Sequence, residues 1–271
     1  MAGNRMGALR LYGRYALVSI RMQMEYRAAF VMQAIGAFLV NIIEFAGIWA
    51  LFHRFGTLRG WRLEEVALLY GMAGVAWSLT ELVSTGFDHF GVLIRRGDFD
   101  RVLLRPRAVV LQLLGHEFTL RRLGRLLQAL LVLGWALGAL HALTQPLTWL
   151  LLPLALTGAV CLFLGLLILQ ATLSFWTVET LEVFNCLTYG GVYASQYPLP
   201  IYRDWFRRLF LYVVPLGAVI YLPAVAIMGR TDPMGSTLWQ QCAAPACGPV
   251  FLLAAMCCWR LGVRRYTSTG S

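Results

Sequence analysis

The chain alternates long apolar runs with short arginine-rich stretches, and that pattern predicts its elements before any motif does. Runs of about 20 residues match the length a helix needs to cross a bilayer. Apolar length and charged flanks place six spans, at about Ala28 to Phe52, Leu63 to Val83, Leu126 to Leu143, Trp149 to Gln170, Thr177 to Gln196 and Leu238 to Leu261. A seventh apolar run, Val213 to Met228, is interrupted by Pro215 and Pro223 and reads as two short pieces that enter the bilayer and return. The expected fold is an all-α polytopic membrane helix bundle, a single transmembrane domain over residues 1–271.

Charge adds an orientation. The 23 basic residues are all arginine, and the net charge is +10. With six spans and both termini inside, 16 arginines fall on the cytoplasmic side and seven outside, as the positive-inside bias requires; a seventh span would move Arg260, Arg264 and Arg265 out. The positive charge is thus a membrane signature, and nucleic-acid binding is not expected, because the arginines are divided among short loops. The absence of lysine excludes a lysine-bearing phosphate loop and Schiff-base chemistry.

Residues 1–27 do not form a cleavable signal, since Arg14, Arg21, Glu25 and Arg27 interrupt any apolar core. At about 100° per residue, Arg10, Arg14, Arg21 and Glu25 share an arc of about 60°. Leu9, Tyr12, Ala16 and Ile20 oppose them, which predicts an interfacial helix along the inner leaflet, either a plain anchor or a mechanical element.

The densest charge lies between spans two and three, where Arg95 to Arg107 holds seven charged residues. Gly97 breaks the chain, Asp98 suits an N-cap, Asp100 favours the first turn, and Pro106 ends the helix. Phe99, Val102 and Leu103 share one face, while Arg95, Arg96, Arg101 and Arg105 surround it. Such a helix either lies on headgroups or docks into a cytosolic partner by apolar anchors within a charged rim.

Gly97-Asp98-Phe99-Asp100-Arg101-Val102-Leu103-Leu104-Arg105-Pro106 resembles a motif of bacterial six-span ABC-2 type permeases, the membrane subunits of ATP-binding-cassette exporters. Tyr197-Pro198-Leu199-Pro200-Ile201-Tyr202, running on through Pro215 to Pro223, is similar to the same group's segment before the last span. Arg203-Asp204 depart from the proline or small residue expected after Tyr202. The resemblance covers most of the chain. It implies a half-transporter in the bacterial cytoplasmic membrane, paired with a second copy or a sister permease and with cytosolic ATPase subunits. Residues Arg95 to Pro106 would be the coupling segment, this chain would hold no cofactor, and the partner would bind ATP and Mg. The resemblance also favours an outer gate built from Tyr197, Pro198, Pro200, Tyr202, Pro215 and Pro223, which could otherwise be an interfacial aromatic belt.

Polar residues within the spans are candidates for a translocation pathway: Asn41, Glu44, Glu81, Glu179, Glu182 and Asn185. Glu44 reads as a pathway or packing residue; the other carboxylates lie near enough to the inner surface to be solvated, and a carboxylate ring would favour cationic substrates. Gly134, Gly138 and Ala142 line one face of span three, for packing within the chain or, second, against another copy.

Enzyme chemistry is missing. His116-Glu117 starts like a zinc helix, but Leu120 stands where a second histidine is needed, and no site for a metal is expected. Cys242 and Cys247 are either free or bonded, while Cys257 and Cys258 are expected buried in span six. The alternative to a permease is an integral membrane enzyme or a scaffold subunit without transport, which would need no ATPase partner.

Overall fold

The computed structural model describes residues 13, 17, 18, 20–22, 24, 25, 27–105, 108–114, 122–177 and 181–266, with the backbone only at 181–183. Most of the expected N-terminal interfacial helix, together with Pro106, Arg107 and Glu179, lies outside them. The described residues form helices and no strand.

Chain order is α1 Arg27–Phe55, α2 Leu63–Asp88, α3 Phe90–Arg95, α4 Asp98–Leu103, α5 Val109–Leu114, α6 Leu123–Ala139, α7 Pro146–Leu173 and α8 Leu181–Ser195. Then follow α9 Asp204–Val213, α10 Gly217–Met228 and α11 Leu238–Arg265. Four helices or helix pairs are long and apolar enough to cross a bilayer: α1, α2 with α3, α7 and α11. Helix α6 is shorter and apolar, and α8, at 15 residues, is shorter still. The chain is a polytopic membrane helix bundle. Span two runs beyond its expected end at Val83, because α2 bends at Ser84 and continues through His89 into α3.

Helix α2 is the axis of the bundle. Nearly all of it is buried, on every side, as the central helix of a bundle must be. It packs on α6 on one side and α7 on the other; α1 lies on α6 and α11 lies on α7. Small residues set these distances. A Cβ on Gly71 of α2 would lie 2.8 Å from the Leu133 Cα of α6, and Gly158 of α7 meets Gly248 of α11 backbone to backbone with no room for a side chain.

The expected packing face on span three is different in the structure. Gly134 and Gly138 have nothing within 4 Å of an added Cβ, so they point away from the chain; Gly124, the second residue of α6, makes the close backbone approach to Ala34 of α1. Only Ala142 is buried. Cys257 and Cys258 likewise sit on the exposed side of α11, and all six cysteines are free.

The two ends of the bundle carry different connections. One, the connector end, holds α3, α4 and α5; the other, the hairpin end, holds residues 56–62 and the pair α9 and α10. These two helices meet at 83° around Val214 to Leu216. Pro215 marks that break, whereas Pro223 lies inside α10, just past the change from its π-helical start to its α-helical second half, and breaks nothing. Both flanks of the pair reach the 56–62 loop. The Arg59 guanidinium donates to the carbonyls of Pro200 at 3.5 Å and Ile201 at 3.4 Å, and Arg230 donates to the Gly60 carbonyl at 3.1 Å.

Candidate functional site

At the connector end, Gly97 adopts φ 72°, which closes α3 and aims α4 back along the bundle. Asp98 is therefore the first helical residue and not the cap; its carboxylate pairs with Arg101 at 3.4 Å. Phe99 is 0% exposed. Its ring sits 5.0 Å from Phe90, 5.5 Å from Phe175 and 4.9 Å from Tyr266, all edge-on or tilted, with Trp259 on the far side of the Phe90 and Phe175 rings. Burial, followed by the Asp100 carboxylate, raises the Tyr266 phenol above its ordinary range.

That aromatic cluster ties α4 to the ends of α7 and α11. The face it leaves outward carries Arg101, Leu103, Leu104 and Arg105, beside Arg95 and Arg96; Leu104 is 85% exposed. Helix α5 braces the other side, with Gln112 donating to the Val102 carbonyl at 3.1 Å. Of the three residues expected on one apolar face, Phe99 is the internal mount, Val102 is half-buried and Leu103 is exposed. The sequence residues Arg95 to Arg105 thus form a rigidly held knob with an apolar tip and an arginine rim.

A second feature runs along α2 on the side between α6 and α8. Arg122 donates to the Glu81 carboxylate at 3.2 Å and to its backbone carbonyl at 2.8 Å, and Arg125 approaches the other carboxylate oxygen at 3.6 Å. Glu81 is buried. The expectation that it would be simply solvated does not hold, because two arginines read as loop charges enter the bundle to neutralise it. Two turns toward the connector end, Tyr189 of α8 donates to both Asp88 oxygens, at 3.2 and 3.1 Å, and its ring stands 5.2 Å from Trp77.

Toward the hairpin end, Tyr70 donates to the Asn41 carbonyl at 3.3 Å, and Glu44 and Tyr193 lie within electrostatic reach of it. Asn41 donates to the Ala37 carbonyl at 2.7 Å; Asn185 accepts from Gln170 at 3.2 Å. Together these residues make a polar seam along one side of the axial helix. Asn41, Glu44 and Asn185 are half-buried and Tyr193 is exposed, so the seam opens on the side between α1 and α8. Of the six expected pathway residues, Asn41, Glu44, Glu81 and Asn185 fall on it; the Glu182 side chain and Glu179 are outside the described residues. Arg122, Arg125, Asp88, Tyr70 and Tyr189 were not anticipated. Tyr70, Trp77, Glu81 and Asp88 recur at helical spacing on α2, a legible stripe.

The expected gate residues gather at the hairpin end. Pro198 opens a single turn at Leu199–Ile201, and Tyr202 donates to the Ala194 carbonyl at 3.1 Å while stacking on Phe206 at 4.6 Å. Burial, and secondly the nearby Tyr197, pushes the Tyr202 phenol up to about 12; burial and the Glu44 carboxylate raise Tyr197. The return of α10 is clamped by Arg230, which donates at 2.8 Å to each Glu65 oxygen and lies 4.2 Å over the Trp61 ring. Among the described residues no cluster of histidine, cysteine or carboxylates could hold a metal.

A family model described as an ABC-2 family transporter protein matches residues 38–270. No curated protein and no solved structure matches the chain.

Proposed function

Since the chain belongs to the ABC-2 family of transporter membrane proteins, we propose that it is an export permease driven by a separate cytosolic ATPase that docks on the knob at Arg95 to Arg105. Membership makes it a permease component of an ABC transporter and a multi-pass membrane protein. The ATPase, the outward direction, the bacterial inner membrane and the cytoplasmic termini belong to our reading.

The observation that carries it is the mounting of Phe99. An apolar tip bound to the ends of α7 and α11 by an aromatic cluster passes a push on Leu103 and Leu104 directly into two membrane helices. A helix merely resting on headgroups needs no such anchor. In this reading the connector end faces the cytoplasm, ATP and Mg reside on the partner, and this chain supplies no cofactor of its own. The α9 and α10 pair re-enters from outside, supported by the contact of both its flanks with the 56–62 loop. A second copy or sister permease closes the polar seam into a pathway, whose alternating carboxylates and arginines do not amount to the carboxylate ring that would select cations.

Purification of the tagged chain from its host in mild detergent tests this. An ATP-binding-cassette subunit is expected with the native chain and not with the Leu103→Ser, Leu104→Ser double variant, whose fold should be unaltered because both side chains are exposed. If the double variant retains the ATPase, or the native chain never brings one down, the docking assignment fails.

A further inference from the structure

A cavity of about 520 Å³ opens at the hairpin end, between α9 and α10 on one side and the start of α11 on the other. Its size is that of a small-molecule site. Leu211, Leu222 and Ala243 form apolar walls; Tyr212 and Trp239, 80% and 79% exposed, stand at its rim. Asp232 is its only charged lining residue.

The chemistry of Asp232 is unusual for a half-buried carboxylate. It accepts from the Tyr221 hydroxyl at 2.7 Å, from the Met234 amide at 3.1 Å and from the Ser236 amide at 3.2 Å. All three donors are neutral, so they fix the carboxylate in place without cancelling its charge. No guanidinium among the described residues forms an ion pair with it. Arg230, two residues away, is committed to Glu65 and stacked on Trp61. Arg207 is paired with Asp204. An oriented anion with no direct ion pair, in an apolar cavity with two aromatic rings, is an environment that stabilises an organic ammonium ion, through charge attraction, ring faces and apolar contact with its alkyl groups.

We infer that this cavity binds an alkylated ammonium group, with Asp232 as counter-ion and Trp239 and Tyr212 as ring partners. A strongly hydrated metal ion and anions fit it less well: the walls offer few oxygen ligands for a metal, and the one charge repels an anion. This site stands apart from the knob and the polar seam, and does not depend on the docking of an ATPase.

The test uses the full chain, with any subunits that co-purify, in an uncharged sugar detergent. Isothermal titration with tetraethylammonium should show saturable binding, weakened about tenfold or more by Asp232→Asn and by Trp239→Ala. Ethanesulfonate should show none. The Trp239 variant keeps the test valid if Asp232→Asn loosens its loop, because the indole is exposed and holds nothing in place. Absence of saturable binding, unchanged affinity in the Trp239 and Asp232 variants, or equal binding of ethanesulfonate would overturn the proposal and leave the rings as an interfacial belt.

Discussion

Arg122 and Glu81 are joined twice, through the carboxylate at 3.2 Å and through the Glu81 backbone carbonyl at 2.8 Å, so one guanidinium locks the start of α6 to the connector-side part of the axial helix. Arg125 adds a second positive charge to the same carboxylate. Taking Glu81 away would leave two half-buried guanidiniums without the carboxylate they share. Glu81→Gln should therefore destabilise the chain by about 3–5 kcal/mol. Arg122→Lys should also cost stability: one terminal nitrogen, Nη1, makes both contacts, and a lysine ammonium reaches less far and is more strongly hydrated, so it costs more to bury. Denaturant unfolding in detergent measures both; a Glu81→Gln variant as stable as the native chain would show that the pair is dispensable.

Two sets of glycines should respond in opposite ways. Gly158 and Gly248 leave no space for a Cβ where α7 crosses α11, whereas Gly134 and Gly138 meet nothing within 4 Å. Gly158→Ala and Gly248→Ala should each lower the melting temperature. Gly134→Ala and Gly138→Ala should leave the isolated chain unchanged or raise its stability by roughly 0.5–1 kcal/mol each through helix propensity. Thermal scans of the four variants decide; a loss at Gly134 equal to that at Gly158 would place a helix against the α6 face.

The Tyr202 phenol is raised from 10.0 to about 12 in the folded chain, chiefly by burial. The folded state therefore holds this proton more tightly than the unfolded state does. Its stabilising contribution is complete below pH 10 and is lost as pH rises from about 10 to 12. Native chain should be more stable than Tyr202→Phe at pH 8, partly through the bond to the Ala194 carbonyl, and that advantage should shrink above pH 10. Parallel unfolding series at pH 8 and pH 11 test this; an advantage that does not change with pH would contradict it.

If α9 and α10 form a hairpin that leaves and returns at one end, positions on both flanks share one side of the membrane. In a variant lacking native cysteines, Thr57→Cys, Arg203→Cys and Thr231→Cys should all react with an impermeant maleimide from the same side, and Arg96→Cys from the other. Labelling of positions 203 and 231 from opposite sides would make the pair a broken span.

Much of the bundle is legible in the chain because long apolar runs encode their own length: α1, α2, α7 and α11 stand where those runs do. The third span is displaced, observed at Leu123–Ala139 against an expected 126–143, since Arg125 enters the bundle to meet Glu81. That partner is 44 residues away by number, and local charge patterning reads Arg122 and Arg125 as loop residues. The short helix after Gly97 was also legible, but not which way it faces. Phe99, Val102 and Leu103 share a stripe whichever surface covers them; only the folded chain brings Phe175 and Tyr266 against Phe99. Small residues at helical spacing are equally mute, and the pairing that uses them here is Gly158 with Gly248.

The most direct measurement places a photo-reactive benzophenone at Leu104, through Leu104→Cys in an otherwise cysteine-free chain, and irradiates native membranes. The account expects an adduct with an ATP-binding-cassette subunit from position 104 and none from a control at Trp239, at the hairpin end. Adducts from position 104 to lipid alone would contradict it and make the knob a helix resting on the membrane surface.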